Sequence, residues 1–170
     1  MTTVSPSGNT TAAVTYTPIA TNTLGSNAAS VTFSSIPGTY TDLVVVVAGT
    51  FTTGSTNNVN FQFNGDTASN YSWLRLLGSG SAASSARSSD VEINVGGLSS
   101  TAQSTTVANI QNYSNTTTYK TAIGRGNTPE YVQASLGAWR NTAAITSVKI
   151  QSAATFASGT TFSLYGIVAA

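Results

Sequence analysis

The segment Asn58-Val59-Asn60-Phe61-Gln62-Phe63-Asn64 alternates amide and apolar side chains without a break. A period of two puts Val59, Phe61 and Phe63 on one face of an extended chain and the amides on the other, whereas a helix repeats every ~3.6 residues. Asp90-Val91-Glu92-Ile93-Asn94-Val95 repeats the pattern, with Val91, Ile93 and Val95 on the inward face. Both read as half-buried antiparallel strands. Runs rich in β-branched and aromatic residues predict further strands at Ala13–Thr17, Ala29–Ser34, Tyr71–Leu77 and Thr105–Asn112. Others are expected at Thr118–Gly124, Tyr131–Trp139, Ile145–Gln151 and Thr160–Val168. Leu43-Val44-Val45-Val46-Val47 does not alternate, which predicts a strand covered on both faces in the middle of a sandwich.

Turn chemistry separates these runs. Ile36-Pro37-Gly38-Thr39 fits a type II turn, with Pro at the second position and Gly at the third. Asn64-Gly65-Asp66 carries the Asn-Gly hairpin signal. Gly96-Gly97 and Ser158-Gly159-Thr160 also read as turns, and the Ser, Ala and Gly tract from Gly78 to Ser89 as a long mobile loop. No repeat or composition break marks a second domain. The expected organisation is a polar N-terminal arm over residues 1–12, followed by one all-β domain over 13–170. Its fold class is an antiparallel β-sandwich, of jelly-roll form, with about eight to ten strands.

Charge narrows the function classes. Only 6% of residues are charged and the net charge is +1, against roughly 25% charged in an ordinary domain. A surface so poor in charge offers little repulsion between copies and suits a protein that packs into an assembly. Six basic residues, scattered from Arg75 to Lys149, form no stripe for phosphate neutralisation, so no nucleic-acid partner is expected. The apolar run from Leu43 to Ala48 falls far short of the ~20 residues of a spanning helix, so no membrane partner is expected either. The segment Met1–Pro6 lacks the basic and apolar regions of a secretory signal, which predicts synthesis in a cytoplasm and no export by the secretory route.

The chain has no histidine and no cysteine. Imidazole bases, thiol nucleophiles and His- or Cys-ligated metals are therefore excluded, and no cofactor or enzymatic activity is expected. Of the five carboxylates, Asp90 and Glu92 fall on one face of the predicted strand. They form either a paired acid or calcium site or, more simply, a solvated strand face, since a flat face lacks the pocket that tunes carboxyl groups. Asn64-Gly65-Asp66 suggests a calcium loop only superficially, because the acidic repeat and the terminal Glu are missing. Among the aromatic residues, Trp73 and Trp139 lie inside predicted strands and read as core. Tyr113 and Tyr119 flank the polar turn Ser114–Thr118 and are the candidates for surface or ligand contact, with a sugar or a protein.

Several segments in a fixed order carry a resemblance. They are Ala29–Leu43 leading into the valine-rich strand, Phe63-Asn-Gly-Asp-Thr-Ala-Ser-Asn-Tyr-Ser-Trp73 and Tyr113-Ser-Asn-Thr-Thr-Thr-Tyr-Lys120. Ala138-Trp-Arg-Asn-Thr-Ala-Ala-Ile-Thr-Ser147 and Phe162-Ser-Leu-Tyr-Gly-Ile167 complete the set. Together they resemble a virion-protein domain widespread in tailed phages, notably cyanophages and other marine phages, over about Ala20 to Ile167. The resemblance implies a virion-associated β-sandwich of the kind found in head decoration, neck and fibre proteins, and it transfers no catalytic residue. A compact domain behind a short arm suits a decoration or cement protein on the outer capsid surface, with the major capsid protein and copies of itself, as a homotrimer, for partners. The alternative is a tail, neck or fibre module that recognises host surface carbohydrate.

Overall fold

A computed structural model describes residues 16–168, which form twelve strands and no helix. They are β1 (Tyr16–Thr23), β2 (Ala28–Phe33), β3 (Asp42–Gly49), β4 (Thr56–Phe63), β5 (Tyr71–Gly78) and β6 (Ala83–Asp90). The second half holds β7 (Ile93–Ser99), β8 (Ser104–Gln111), β9 (Lys120–Asn127), β10 (Val132–Trp139), β11 (Val148–Phe156) and β12 (Thr161–Ile167). The predicted arm over residues 1–12, and the start of the strand predicted at Ala13–Thr17, lie outside the described residues.

Every strand pair is antiparallel. The strands form an eight-stranded sheet in the order β1-β12-β3-β8-β9-β10-β5-β6 and a four-stranded sheet in the order β2-β11-β4-β7. The sandwich is the expected architecture, but it has more strands than the sequence predicts. Two hairpin-like insertions account for the excess. With β5–β6 and β9–β10 set aside, the remaining eight strands pair first with last and inward in turn: β1 with β12, β2 with β11, β3 with β8, β4 with β7. The four inserted strands all join the far end of the larger sheet.

Alternation chose the core as expected on β4, where Val59, Phe61 and Phe63 are fully buried. They pack with Leu43, Val45 and Val47 of β3, Ile93 and Val95 of β7, and Phe162 and Leu164 of β12. Aromatic rings fill both ends. Trp139 stacks on Tyr71 at 6.2 Å and leans on Phe63 at 5.6 Å, while Phe156 lies 4.9 Å from Phe51 and 5.0 Å from Phe162. Such ring pairs add roughly 0.5–1.5 kcal/mol each beyond the area they bury.

The amides of β4 do not stay in water, however. Asn60 and Gln62 are as buried as a core residue. The inserted part of the large sheet curls around the β7 edge, and no residue of β7 is left exposed. On the core side a Cβ at Gly137 of β10 would strike Ile93. On the other side Gln133 and Ser135 of β10 both donate to Asn94 Oδ1, and Arg75 of β5 reaches Asn58 at 2.9 Å. A seam of neutral amides is thus buried on the face of β4 and β7 opposite Phe61 and Ile93, with Gln133 Nε2 donating to Asn94 and Asn94 Nδ2 to Asn60. Burial of such groups is tolerated because they bond one another, with Gln133 Oε1 left as the buried side-chain oxygen that finds no partner among the described residues.

Four local expectations change. The tract read as a mobile loop contains β6, an edge strand held by its backbone ladder to β5 and exposed along most of its length. Val91 and Glu92 lie between β6 and β7 rather than within a strand, and Val91 is exposed instead of facing inward. Gly96-Gly97 is not a turn but the middle of β7, where a Cβ would collide with Thr106 at the first glycine and with Tyr131 at the second. Around Pro37 the left-handed residue is Ser35 (φ 55°), not Gly38, so the type II turn is not formed. The Asn-Gly turn is present: Asn64 (φ 53°) and Gly65 (φ 70°) are both left-handed, and Asp66 N–H closes onto Phe63 O at 2.9 Å. This is the primed geometry that Asn-Gly favours, but the turn carries the chain from one sheet to the other instead of joining a hairpin.

Candidate functional site

The two candidate tyrosines separate. Tyr113 is fully buried, its hydroxyl donating to Pro37 O and accepting from Tyr40 N–H, and burial pushes that hydroxyl's pKa up. It plugs the space beneath the Pro37 loop, so the expectation of an exposed contact residue does not hold for it. Tyr119 is 60% exposed. It follows a tight polar loop in which Asn115 Oδ1 accepts from the N–H groups of Thr117 and Thr118 at 2.7 and 2.9 Å. The next residue, Lys120, turns inward and is fully buried, its ammonium donating to Thr118 O at 2.7 Å and Thr142 O at 3.0 Å. Desolvation lowers its pKa from the ordinary lysine value.

The carboxylates are structural in their contacts. Asp90 ends β6 and accepts from Val91 N–H. Glu92 folds over the outer side of the four-stranded sheet, where Asn60 of β4 and Gln151 of β11 each donate to it at 2.7 Å. Burial raises its pKa, against the lowering effect of the Gln151 bond. The two therefore do not share a strand face. Asp66 Oδ2 accepts from Trp139 Nε1 at 2.7 Å and Asn70 Nδ2 at 2.9 Å, and Oδ1 from Ala68 N–H at 2.9 Å. Desolvation pushes its pKa up, but these three bonds outweigh it and the net shift is downward. Tyr71, whose hydroxyl donates to Asp66 O and accepts from Phe63 N–H, is pushed up to about 12 by burial. A cation at Asp66 would have to displace three N–H donors. Among the described residues, no three carboxylates gather as a metal site.

Two surfaces are unaccounted for by this packing. The first is a polar cleft of about 380 Å³ beside the β4–β7 edge, lined by Asn57, Asn58, Arg75, Glu130 and Tyr131 among others. Thr56 Oγ1 donates to Glu130 at 2.7 Å on its rim, and this bond leads the lowering of the Glu130 pKa. Burial raises the pKa of Tyr131.

The second, and larger, is the outer face of the eight-stranded sheet. Ile123, Leu136 and Leu74 stand directly opposite one another across β9, β10 and β5. The adjacent row holds Ala134 and Leu76, and the next Val132 and Gly78. Ile123 is 47% exposed, Leu136 46%, Leu74 41%, Leu76 56% and Val132 64%. Two shallow, open hollows of about 630 and 600 Å³ flank them, one beside Leu74 and Leu136, the other beside Leu76 and Val132. The sequence had pointed to Leu74 and Leu76 only as part of a strand, and the period of β5 explains why the face went unseen. In Ser72-Trp73-Leu74-Arg75-Leu76-Leu77 either alternate set could be the buried one. The fold turns Trp73 and Arg75 inward and leaves Leu74 and Leu76 outside.

Comparison with protein-family models and with curated proteins finds no match for this chain.

Proposed function

We propose that the chain is a structural protein of a phage virion, a capsid decoration or cement protein that works by packing against major capsid subunits and against copies of itself. The observation that carries this reading is the outer sheet face, broad, sparsely charged and apolar where β9, β10 and β5 carry Ile123, Leu136, Leu74 and Leu76, on a domain whose carboxylates are tied up in holding its own loops. Surfaces of that kind gain free energy by excluding water, and many modest contacts summed over a symmetric shell hold firmly. The resemblance of the ordered motifs from Ala29 to Ile167 to a tailed-phage virion domain is what points this reading toward a virion. We read the nested pairing of the eight framework strands as an elaborated jelly roll, the form expected for such a domain. Purified particles test the proposal. A reconstruction or quantitative mass spectrum should show many copies spread over the head, and a few copies confined to the tail would overturn it.

A second reading, a tail, neck or fibre module that binds host carbohydrate, is favoured by exposed Tyr119 and by the cleft holding Asn57, Arg75 and Glu130. Aromatic faces and planar polar groups are what a sugar ring recognises. Binding on an array of host polysaccharides, lost in Tyr119→Ala or Arg75→Ala, would support it, and silence on the array would count against it.

A further inference from the structure

We infer that the outer face of the eight-stranded sheet is where one copy of this chain docks against another. The inference rests on the reading of the chain as an assembling module and gives that assembly its contact face.

The patch is continuous in register rather than a scatter of exposed side chains. From Leu74, Leu136 and Ile123 the same row runs through Asn109 of β8 and Val44 of β3 to Tyr165 of β12. The row beside it runs from Leu76 through Ala134, Arg125, Val107 and Val46 to Ser163. The uninterrupted valines of β3 demand cover on both faces, yet only Leu43, Val45 and Val47 have the other sheet above them. Val44 is closed over by its own neighbours, and Val46 remains half-buried. The missing layer on that side is what a second molecule provides.

Area and charge both favour a second copy as the occupant. Eight strands spaced ~4.8 Å apart, with about seven residues of ~3.4 Å each, present roughly 900 Å². A standard interface takes about 800 Å² from each partner, so the whole face, its polar and apolar residues together, is wide enough to form one. Arg87, Arg125 and Asp42 are the ionic side chains in the register rows of this face. Two cations and one carboxylate give no pattern by which a charged partner would be selected, and they scarcely repel an identical face. Two such sheets stack about 10 Å apart, with strand directions within roughly 30°. The Leu74–Leu136 ridge of one copy then has the flanking hollows of the other to enter.

The full-length chain tests this without a known partner. Light scattering or sedimentation across the micromolar range should give a mass that is a multiple of 17.3 kDa. Leu136→Glu, and separately Leu76→Glu, should reduce it to a single chain while the β circular dichroism is retained. Thr32→Glu, on the exposed face of the smaller sheet, should leave the assembly intact. Carbene footprinting of the unaltered protein reads the same point with no variant: labelling at Leu74, Leu76 and Leu136 should fall as concentration rises, while labelling at Thr32 stays level. A monomer at all concentrations, or an assembly whose footprint spares the leucines, overturns the inference. A monomer that still coats capsids would sink this inference and leave the decoration reading standing. An assembly held by this face that ignores capsids would do the reverse.

Discussion

Gly124→Ala should be among the most damaging single-methyl additions to this chain. Gly124 lies in β9 where that strand crosses over β7, and a Cβ built there would fall on the carbonyl oxygen of Val95, with the carbonyl carbon and Cα of Val95 at 2.6 and 2.8 Å. Carbon atoms rest about 3.5–4.0 Å apart, so the strands would have to separate by roughly 1 Å. The obstacle is backbone in the middle of a paired strand, so no side-chain rotation can relieve it. A gap of ~0.5–1 Å already forfeits a quarter to a half of each contact along the seam, and β7 is buried on every residue there. Overpacking of a rigid core costs about 1–3 kcal/mol, and this site should lie at or beyond the upper end. For a chain of this length that corresponds to a fall in Tm of roughly 6–12 °C. Gly78→Ala is the control, since its Cβ would meet nothing nearer than Val132 at 3.7 Å, an ordinary contact. Thermal and denaturant unfolding of both variants measures the difference. If Gly124→Ala unfolds within ~1 kcal/mol of the parent, the two sheets do not approach as closely as described, and the account of the curled sheet fails with it.

The carboxyl groups predict a pH profile with two opposed limbs. Glu92 has its folded pKa raised above the ordinary 4.5, so the folded state holds that proton to higher pH, and its stabilising share is full below pH 4.5 and lost as pH rises through the folded value. Denaturant titrations should show that decline in the parent protein and not in Glu92→Gln, and equal slopes in the two would refute it. Asp66 has its folded pKa lowered below 3.8, so its share is present above that pH and lost as pH falls through the folded value. Asp66→Asn should flatten this acid limb, and it should blue-shift or broaden Trp139 fluorescence by disturbing the bond to the indole. Lys120→Met removes the donor to Thr118 O and Thr142 O and should cost about 1–3 kcal/mol; a neutral or stabilising result in calorimetry would show that the ammonium's desolvation outweighs its bonds.

Strands were legible wherever side chains carried the signal. Val59, Phe61 and Phe63 alternate and are core, Trp139 lies in a strand and is core, and Asn64-Gly65 is left-handed as its chemistry demands. The failures share a cause. β6 is Ala-Ser-Ser-Ala-Arg-Ser-Ser-Asp, with Ala86, Ser88 and Asp90 no more than half-buried and the rest exposed, and it is a strand because β5 offers it a backbone ladder. A local pattern scarcely records an edge strand that buries so little and carries no large apolar side chain. Gly96 and Gly97 carry turn propensity, but Thr106 and Tyr131 press on them from outside the segment. Tyr113 sits among polar residues in sequence, and its burial depends on a loop more than seventy residues earlier, where Pro37 O meets its hydroxyl. In each case the deciding contact is non-local, and local propensity yields to it.

The two inserted strand pairs explain the candidate surface and the amide seam together. A framework of eight strands alone would leave β7 as an open edge with unpaired backbone groups, a liability that proteins cover or blunt. Here β9, β10 and β5 extend the larger sheet past that edge and curl over it, which is why Asn60, Asn94 and Gln133 meet in the interior. Closing one edge has a geometric consequence on the opposite side. The extension that covers β7 with its inner face must present an equally wide outer face, and that face carries Ile123, Leu136, Leu74, Leu76 and Val132. Had it evolved only to shield β7, Ser would serve outside as it does on β6. Large aliphatic side chains placed there, in register across three strands, are a cost to a solitary molecule and an asset to one that is covered.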